Sequence, residues 1–179
     1  MKFHIISPPD INKDFNYQNF DRVTDIISVD FFQFRPKHKS ISERISFVRN
    51  HYKEISKICK KKNIKMIINN DFEIAERFLF DGIHLGQKDR MCKDAKEKFG
   101  NEFIVGVSCS DSPRLYYEAE NQKADYVAFG PVFKTFSKEK KIINIKNVLF
   151  SIKRLRLPFT LIGGINHNNF IELIEYKPN

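Results

Sequence analysis

The sequence predicts an α/β fold, a (β/α) barrel of the TIM type, with seven βα units visible and an eighth strand and helix missing at the C-terminus. Three observations predict it. Short apolar runs rich in β-branched and aromatic residues alternate with longer segments of helical period along the whole chain, the order that parallel βα units require. No Ser/Gly-rich linker or low-complexity segment interrupts that order, so residues 1–179 read as one domain, a length that a single hydrophobic core can support. Polar and charged residues collect just after the apolar runs, where barrels of this kind carry their chemistry.

The predicted strands are Phe3–Ser7, Phe31–Arg35, Lys65–Asn69, Gly82–Gly86, Phe103–Ser108, Tyr126–Gly130 and Phe159–Gly163. Between the second and third, Ile45, Val48, Tyr52, Ile55 and Cys59 recur at steps of three and four, the stripe of an amphipathic helix. Ser40 and Glu43 stand just upstream at capping-box spacing. Shorter helices are predicted at Asp71–Phe80, Arg90–Phe99, Ser112–Gln122 and Ile145–Arg156, and Asn168–Tyr176 begins one more. A closed barrel needs eight strands, so C-terminal truncation is the expected reason for the count, ahead of an imperfectly closed seven-unit barrel or an open doubly wound sheet. Unpaired parallel edges would lower stability or favour self-association, and a homo-oligomer is expected on that ground.

Composition narrows the partners. The chain has 31 Lys+Arg against 22 Asp+Glu, a formal charge of +9, yet the lysines are spread along predicted helix faces without interleaved aromatics. That pattern reads as a solvated basic surface suited to small phosphorylated substrates rather than to nucleic acid. The longest apolar runs fall far short of the roughly 18 residues that cross a bilayer, and the apolar stretch before Pro8-Pro9 is too short for a signal peptide. Cys59, Cys92 and Cys109 form no CxxC pair, which suits a reducing compartment. A cytoplasmic location is expected.

The strand ends carry the candidate chemistry. The second ends in Gln33-Phe34-Arg35-Pro36-Lys37, an amide, a guanidinium and an ammonium of the kind that grips a pyrophosphate. The third ends in Asn69-Asn70-Asp71 and the fourth in His84-Leu85-Gly86-Gln87-Lys88-Asp89; short oxygen-bearing side chains there suit Mg²⁺ completed by substrate phosphates, and suit helix capping equally well. His84 alternates within its strand, a position that also suits a structural histidine. The fifth strand delivers Ser108-Cys109-Ser110. The sixth loop, Gly130-Pro131-Val132-Phe133-Lys134-Thr135-Phe136-Ser137-Lys138, sets two hydroxyls and two ammonium groups where an anion can be wrapped. The seventh strand ends in Gly163-Gly164, whose backbone N–H groups can approach a phosphate closely.

Read in order, these blocks resemble the thiamine-phosphate synthase and thiazole tautomerase superfamily from Phe3 to about Tyr176. The resemblance rests on QxRxK at Gln33, Arg35 and Lys37, on Gly82–Asp89, on Ala124–Lys138 and on Ile162–Ile165. It implies a transferase of thiamine biosynthesis that joins hydroxymethylpyrimidine pyrophosphate to thiazole phosphate and releases pyrophosphate, with Mg²⁺ as cofactor. The substitution is dissociative and needs no protein nucleophile. The resemblance assigns Arg35, Lys37 and Lys138 as catalytic, and Gln33, Asn69, Ser108, Thr135, Ser137 and Gly164 as further substrate contacts. It assigns Asp89 and position 70 to the metal. Asn70 departs from the family's usual Asp, with Asp71 in reserve to rotate in. The tautomerase branch places a histidine after the fifth strand, where this chain has Ser108-Cys109-Ser110, so the synthase branch is favoured. A catalytically impaired relative that binds a phosphorylated thiazole is the other reading.

Overall fold

The computed structural model describes residues 2–9, 11, 15–135 and 141–178. They pack as two compact units, 2–84 and 85–179, with the boundary inside the fourth strand. The first unit holds β1 (Phe3–Ile6), α1 (Tyr17–Ile26), β2 (Val29–Phe34), α2 (Ile41–Lys62), β3 (Lys65–Asn69), α3 (Phe72–Arg77) and β4 (Gly82–Leu85). The second holds α4 (Cys92–Phe99), β5 (Ile104–Ser110), α5 (Pro113–Asn121), β6 (Tyr126–Phe129), α6 (Ile145–Ser151), β7 (Phe159–Leu161) and a 3₁₀ helix, Phe170–Tyr176. Within each unit the strands pair parallel in chain order.

In the first unit the strands present two unlike faces, because successive side chains of a strand point opposite ways. Phe32 and Phe34 of β2 pack against the helices: Phe32 lies with ring centroids 4.7 Å from Phe20 of α1, and Phe34 contacts Tyr52 of α2 and Phe80. Ile68 and Ile83 continue this dry layer. The alternate residues, His4, Phe31, Gln33, Asn69 and His84, share the other face through the pairs His4↔Phe31 and Asn69↔His84. The same alternation runs through the second unit, where Val127, Phe129, Phe159 and Leu161 are buried and Tyr116 of α5 stacks on Phe129. Gly106 pairs with Tyr126, and a Cβ at Gly106 would lie 2.0 Å from Cζ of Tyr126. The phenol fills the space that a side chain at 106 would need.

α2 forms as its pattern predicts. The Ser40 hydroxyl accepts from the Glu43 N–H at 3.2 Å and a Glu43 carboxylate oxygen accepts from the Ser40 N–H at 3.2 Å, the reciprocal cap that satisfies two orphan donors. Asn63, at φ 55°, turns the chain out of the helix, a left-handed position that asparagine tolerates. Lys60, Lys61 and Lys62 sit in the last turn, where the helix dipole favours cations.

Three helical expectations need correction. α1 is an addition to the predicted helices: Tyr17, Phe20, Val23 and Ile26 recur every third residue, Phe20 is its one buried residue, and neither end carries a dipole-complementing charge. Its start is set by Asn16, whose side chain accepts from the Asn19 N–H at 2.9 Å. α6 ends at Ser151, not Arg156. Pro158 steers Leu157 away from helical backbone, and two phenols capture the amides beyond. Tyr117 Oη accepts from Lys153 N at 3.1 Å, and Tyr116 Oη accepts from Arg156 N at 2.7 Å and Leu157 N at 3.1 Å. The last segment, begun at Asn168 in the sequence reading, is a 3₁₀ helix from Phe170.

Tyr116 is fully buried, and its hydroxyl is the acceptor for two backbone N–H groups. Tyr116→Phe keeps the ring and strands those donors, which costs about 1–3 kcal/mol. Urea unfolding should show a lower midpoint at an unchanged slope; an unchanged midpoint would mean that water replaces the hydroxyl.

Candidate functional site

The best-defined part of the site is the end of β2. Gln33 is only 2% exposed, and its carbonyl accepts from the Ser7 N–H at 2.8 Å. The buried Ser7 hydroxyl in turn accepts from the Arg35 N–H at 2.9 Å. Ser7 therefore fixes the backbone on which Gln33 and Arg35 stand, a role the sequence reading did not give it; its one signal was its place at the end of the first predicted strand. Arg35 is half-buried and its pKa is lowered by desolvation, so the guanidinium keeps its charge while losing part of its water. A cation prepared in this way gains more from an anion than one in bulk solvent. Lys37 is exposed two residues further on.

Asn69 and His84 are paired across β3 and β4, and the Asn70 N–H donates to the His84 carbonyl at 2.9 Å. Asn70 is exposed at φ 63°, a backbone position for which asparagine is among the best non-glycine residues. Both oxygens of the Asp71 carboxylate are engaged. One of its oxygens accepts from the Ile74 N–H at 3.4 Å to cap α3, and the other accepts from Arg44 Nε at 2.8 Å. His84 is buried, and its pKa is lowered to about 4 by desolvation and, secondarily, by the Arg35 charge. His4 is lowered likewise, by burial and then by His84.

In the second unit Asp89 folds back on its own loop, accepting from the Gly86 N–H at 2.6 Å through Oδ2. The Ser108 carbonyl accepts from the Gln87 amide, so the loop after β4 is tied to β5. Thr135 and Gly164 stand on loops stitched together by backbone bonds: Val132 N–H to Ile162 O at 2.9 Å and Phe133 N–H to Gly163 O at 3.0 Å. The approach is so close that a Cβ at Gly164, where φ is 70°, would lie 2.3 Å from the Lys134 carbonyl oxygen. Gly164 is thus required by packing as well as by any anion. Its own carbonyl accepts from Asn169 Nδ2 at 3.0 Å. Ser137 and Lys138 lie outside the described residues.

Oxygen donors assigned to Mg²⁺ are one carboxylate, Asp89, and one amide, Asn70. Among the described residues no group of three or more His, Cys, Asp or Glu side chains is gathered for a metal. A magnesium ion asks for less than that, since it keeps several waters and takes one or two carboxylates together with substrate phosphates. Asp89 belongs to one compact unit and Asn70 to the other, and each offers an oxygen of the hard kind that magnesium takes.

The chain is similar to known proteins in sequence and in fold. The family model described as thiamine monophosphate synthase matches residues 4–178. The chain belongs to that family. It is similar to the thiamine-phosphate synthase of Pelagibacter ubique, 37% identical over 180 residues, covering 98% of this chain and 83% of that one. It is similar too to the thiamine-phosphate synthase of Dictyoglomus thermophilum, 31% identical over 163 residues, covering 89% of this chain and 71% of that one. Among solved structures, a thiamine phosphate pyrophosphorylase from Pyrococcus furiosus matches with a TM-score of 0.78 at 22% identity, over 99% of this chain and 82% of that one. An N-acetylmannosamine-6-phosphate 2-epimerase from Clostridium perfringens matches at 0.60 and 11% identity. These two likenesses establish the fold class, seven parallel βα units of the TIM-barrel type. With the family come the class of enzyme and its setting: a transferase of the thiamine-phosphate synthase type, in thiamine biosynthesis. No helix among the described residues is long and apolar enough to cross a membrane.

Histidines on the site face set an acid limit. His84 titrates near 4 in the folded chain and near 6.5 when unfolded, so between those values the unfolded state holds the extra proton. Stability from this group is fully present above about pH 6.5 and is lost as the pH falls toward 4. The folding constant should drop by up to about tenfold per pH unit in that window. Denaturant titrations at pH 7, 5.5 and 4.5 should show the fall, and His84→Gln should make it shallower while leaving the share of His4; an equal slope in the variant would locate the acid sensitivity elsewhere.

Proposed function

We propose that the chain joins hydroxymethylpyrimidine pyrophosphate to thiazole phosphate and releases pyrophosphate. The observation that carries this reading is Arg35: a half-buried guanidinium at a strand end, its backbone held by Ser7 and its neighbour Gln33 buried on the same face. In the reaction, the bond from the pyrimidine methylene carbon to the pyrophosphate oxygen breaks and its electron pair leaves with the pyrophosphate. The thiazole nitrogen lone pair then forms the new C–N bond. No proton is transferred and no protein nucleophile is consumed, so the residues act by orientation and by meeting charge as it develops on the leaving group.

Arg35 and Lys37 receive that charge, with Lys138 as a third catalytic cation on the sixth loop. Gln33 and Asn69 add hydrogen bonds to the pyrimidine substrate, and Ser108 offers a hydroxyl donor. Thr135, Ser137 and the Gly164 N–H are the contacts of the thiazole phosphate. Among the described residues no partner takes the Gly164 N–H, which leaves it available to an anion. Mg²⁺, when bound, supplies Lewis-acid neutralisation of the diphosphate, with Asp89 and Asn70 as its protein oxygen donors. A neutral amide at position 70 weakens that site relative to a second carboxylate. The reading includes a single (β/α) domain acting in the cytoplasm on small phosphorylated molecules, as a homo-oligomer and with no nucleic-acid partner.

The purified chain, given both substrates and Mg²⁺, should form thiamine phosphate detectable by mass spectrometry. Arg35→Ala should lower kcat/KM by about 10²-fold or more, the cost of removing a charge-stabilising donor from a shielded site. A folded chain without product would shift the reading to an impaired relative, and calorimetry with thiazole phosphate would then decide whether it still binds.

A further inference from the structure

Arg44 lies outside every residue assigned above, yet its guanidinium joins two of the loops that carry them. Nη1 donates to the carbonyls of His38 at 3.2 Å and Lys39 at 2.9 Å. Nε donates to Asp71 Oδ2 at 2.8 Å. The first pair of carbonyls belongs to the loop that follows Arg35 and Lys37; Asp71 directly follows Asn69 and Asn70 and caps α3 with its other oxygen. The Arg44 and Asp71 side chains are 27% and 12% exposed, so this ion pair is shielded more than a surface pair. Arg44 itself is held by α2, whose capping box begins four residues earlier at Ser40.

From this geometry we infer that Arg44 is a positioning residue: it clamps the loop after β2 to the loop after β3, and so presets the Arg35–Lys37 cation pair for a diphosphate-bearing substrate. The inference rests on the function proposed above. The planar guanidinium is what the task requires, since it sends donors along separate directions to a carboxylate and to two carbonyls at once. An ammonium at the end of a lysine stem carries the charge without that fixed fork. Without the clamp, Arg35 stays on its strand, anchored through Ser7, whereas the segment from Lys37 to Lys39 loses its tie to α3. Each binding event must then order that segment again, a cost that appears in substrate affinity rather than in the bond-breaking step.

The test uses the full chain and the variants Arg44→Met, Arg44→Lys and Asp71→Asn, the last retaining an oxygen for the α3 cap. Peptide-level hydrogen exchange of the free protein reads the clamp; steady-state kinetics with the pyrimidine pyrophosphate reads its use. Arg44→Met should speed exchange across residues 36–43 and raise KM for the pyrimidine pyrophosphate about tenfold or more, with kcat within about threefold. Arg44→Lys should recover only part of the KM, and Asp71→Asn should fall between wild type and Arg44→Met. Unchanged exchange in Arg44→Met would overturn the clamp, and faster exchange with an unchanged KM would overturn its role in substrate binding. If Arg44→Met does not fold, Arg44→Lys and Asp71→Asn carry the same two readouts. A wild-type chain that neither turns over nor binds inorganic pyrophosphate would overturn the proposed function instead, and the exchange data would still decide whether Arg44 holds the loop.

Discussion

A parallel strand covered by helices on one side has to satisfy two environments with one chain, and the two-residue period of its side chains is what makes this possible. Here Phe32, Phe34, Ile68 and Ile83 in the first unit, and Val127, Phe129 and Phe159 in the second, are given over to burial. The intervening positions face away from the helix layer. Gln33, Asn69, His84, Ser108 and Tyr126 occupy them, so the polar chemistry does not compete with the core but is spaced by it. A one-residue slip would send these polar groups into the helix layer. The dry layer therefore protects the register as much as it supplies stability.

Beyond the strands, position is set by ordinary backbone accounting. Every N–H or C=O that leaves the sheet needs a partner, and the loops around the site meet that need with side chains whose ties are local and directional. Ser7 holds the turn into Arg35, Asp89 closes the turn from Gly86, and Asn169 reaches the Gly164 carbonyl. Arg44 and Asp71 extend the pattern between loops. None of these groups has to touch a substrate to matter, because each removes freedom from the loop it holds.

The strands and the long helix were legible because their signals are strong and local: β3 runs over Lys65–Asn69 as read, and Ser40 with Glu43 forms the expected cap. α1 was not read, although Tyr17, Phe20, Val23 and Ile26 recur every third residue; of these only Phe20 is buried. The end of α6 depends on phenols some forty residues earlier in the chain, a non-local bond that no window around Arg156 contains. The candidate site divides in the same way. Arg35, Lys37 and Asp89 declare themselves through charge at strand ends, whereas Ser7 and Arg44 act through hydrogen bonds 27 or 28 residues distant in sequence. Asp71 shows the same limit: its proximity to Asn70 was visible in the sequence, and its bond to Arg44 was not.

Gly106 and Tyr126 share one volume between neighbouring strands, and this ties their histories together. Enlarging 106 first drives a methyl group into the phenol ring; shrinking 126 first leaves a void that the strands cannot collapse to fill. Either single step passes through a damaged intermediate, so exchange of the pair demands near-simultaneous change. The two positions are therefore coupled by volume alone, neither being assigned any contact with a substrate.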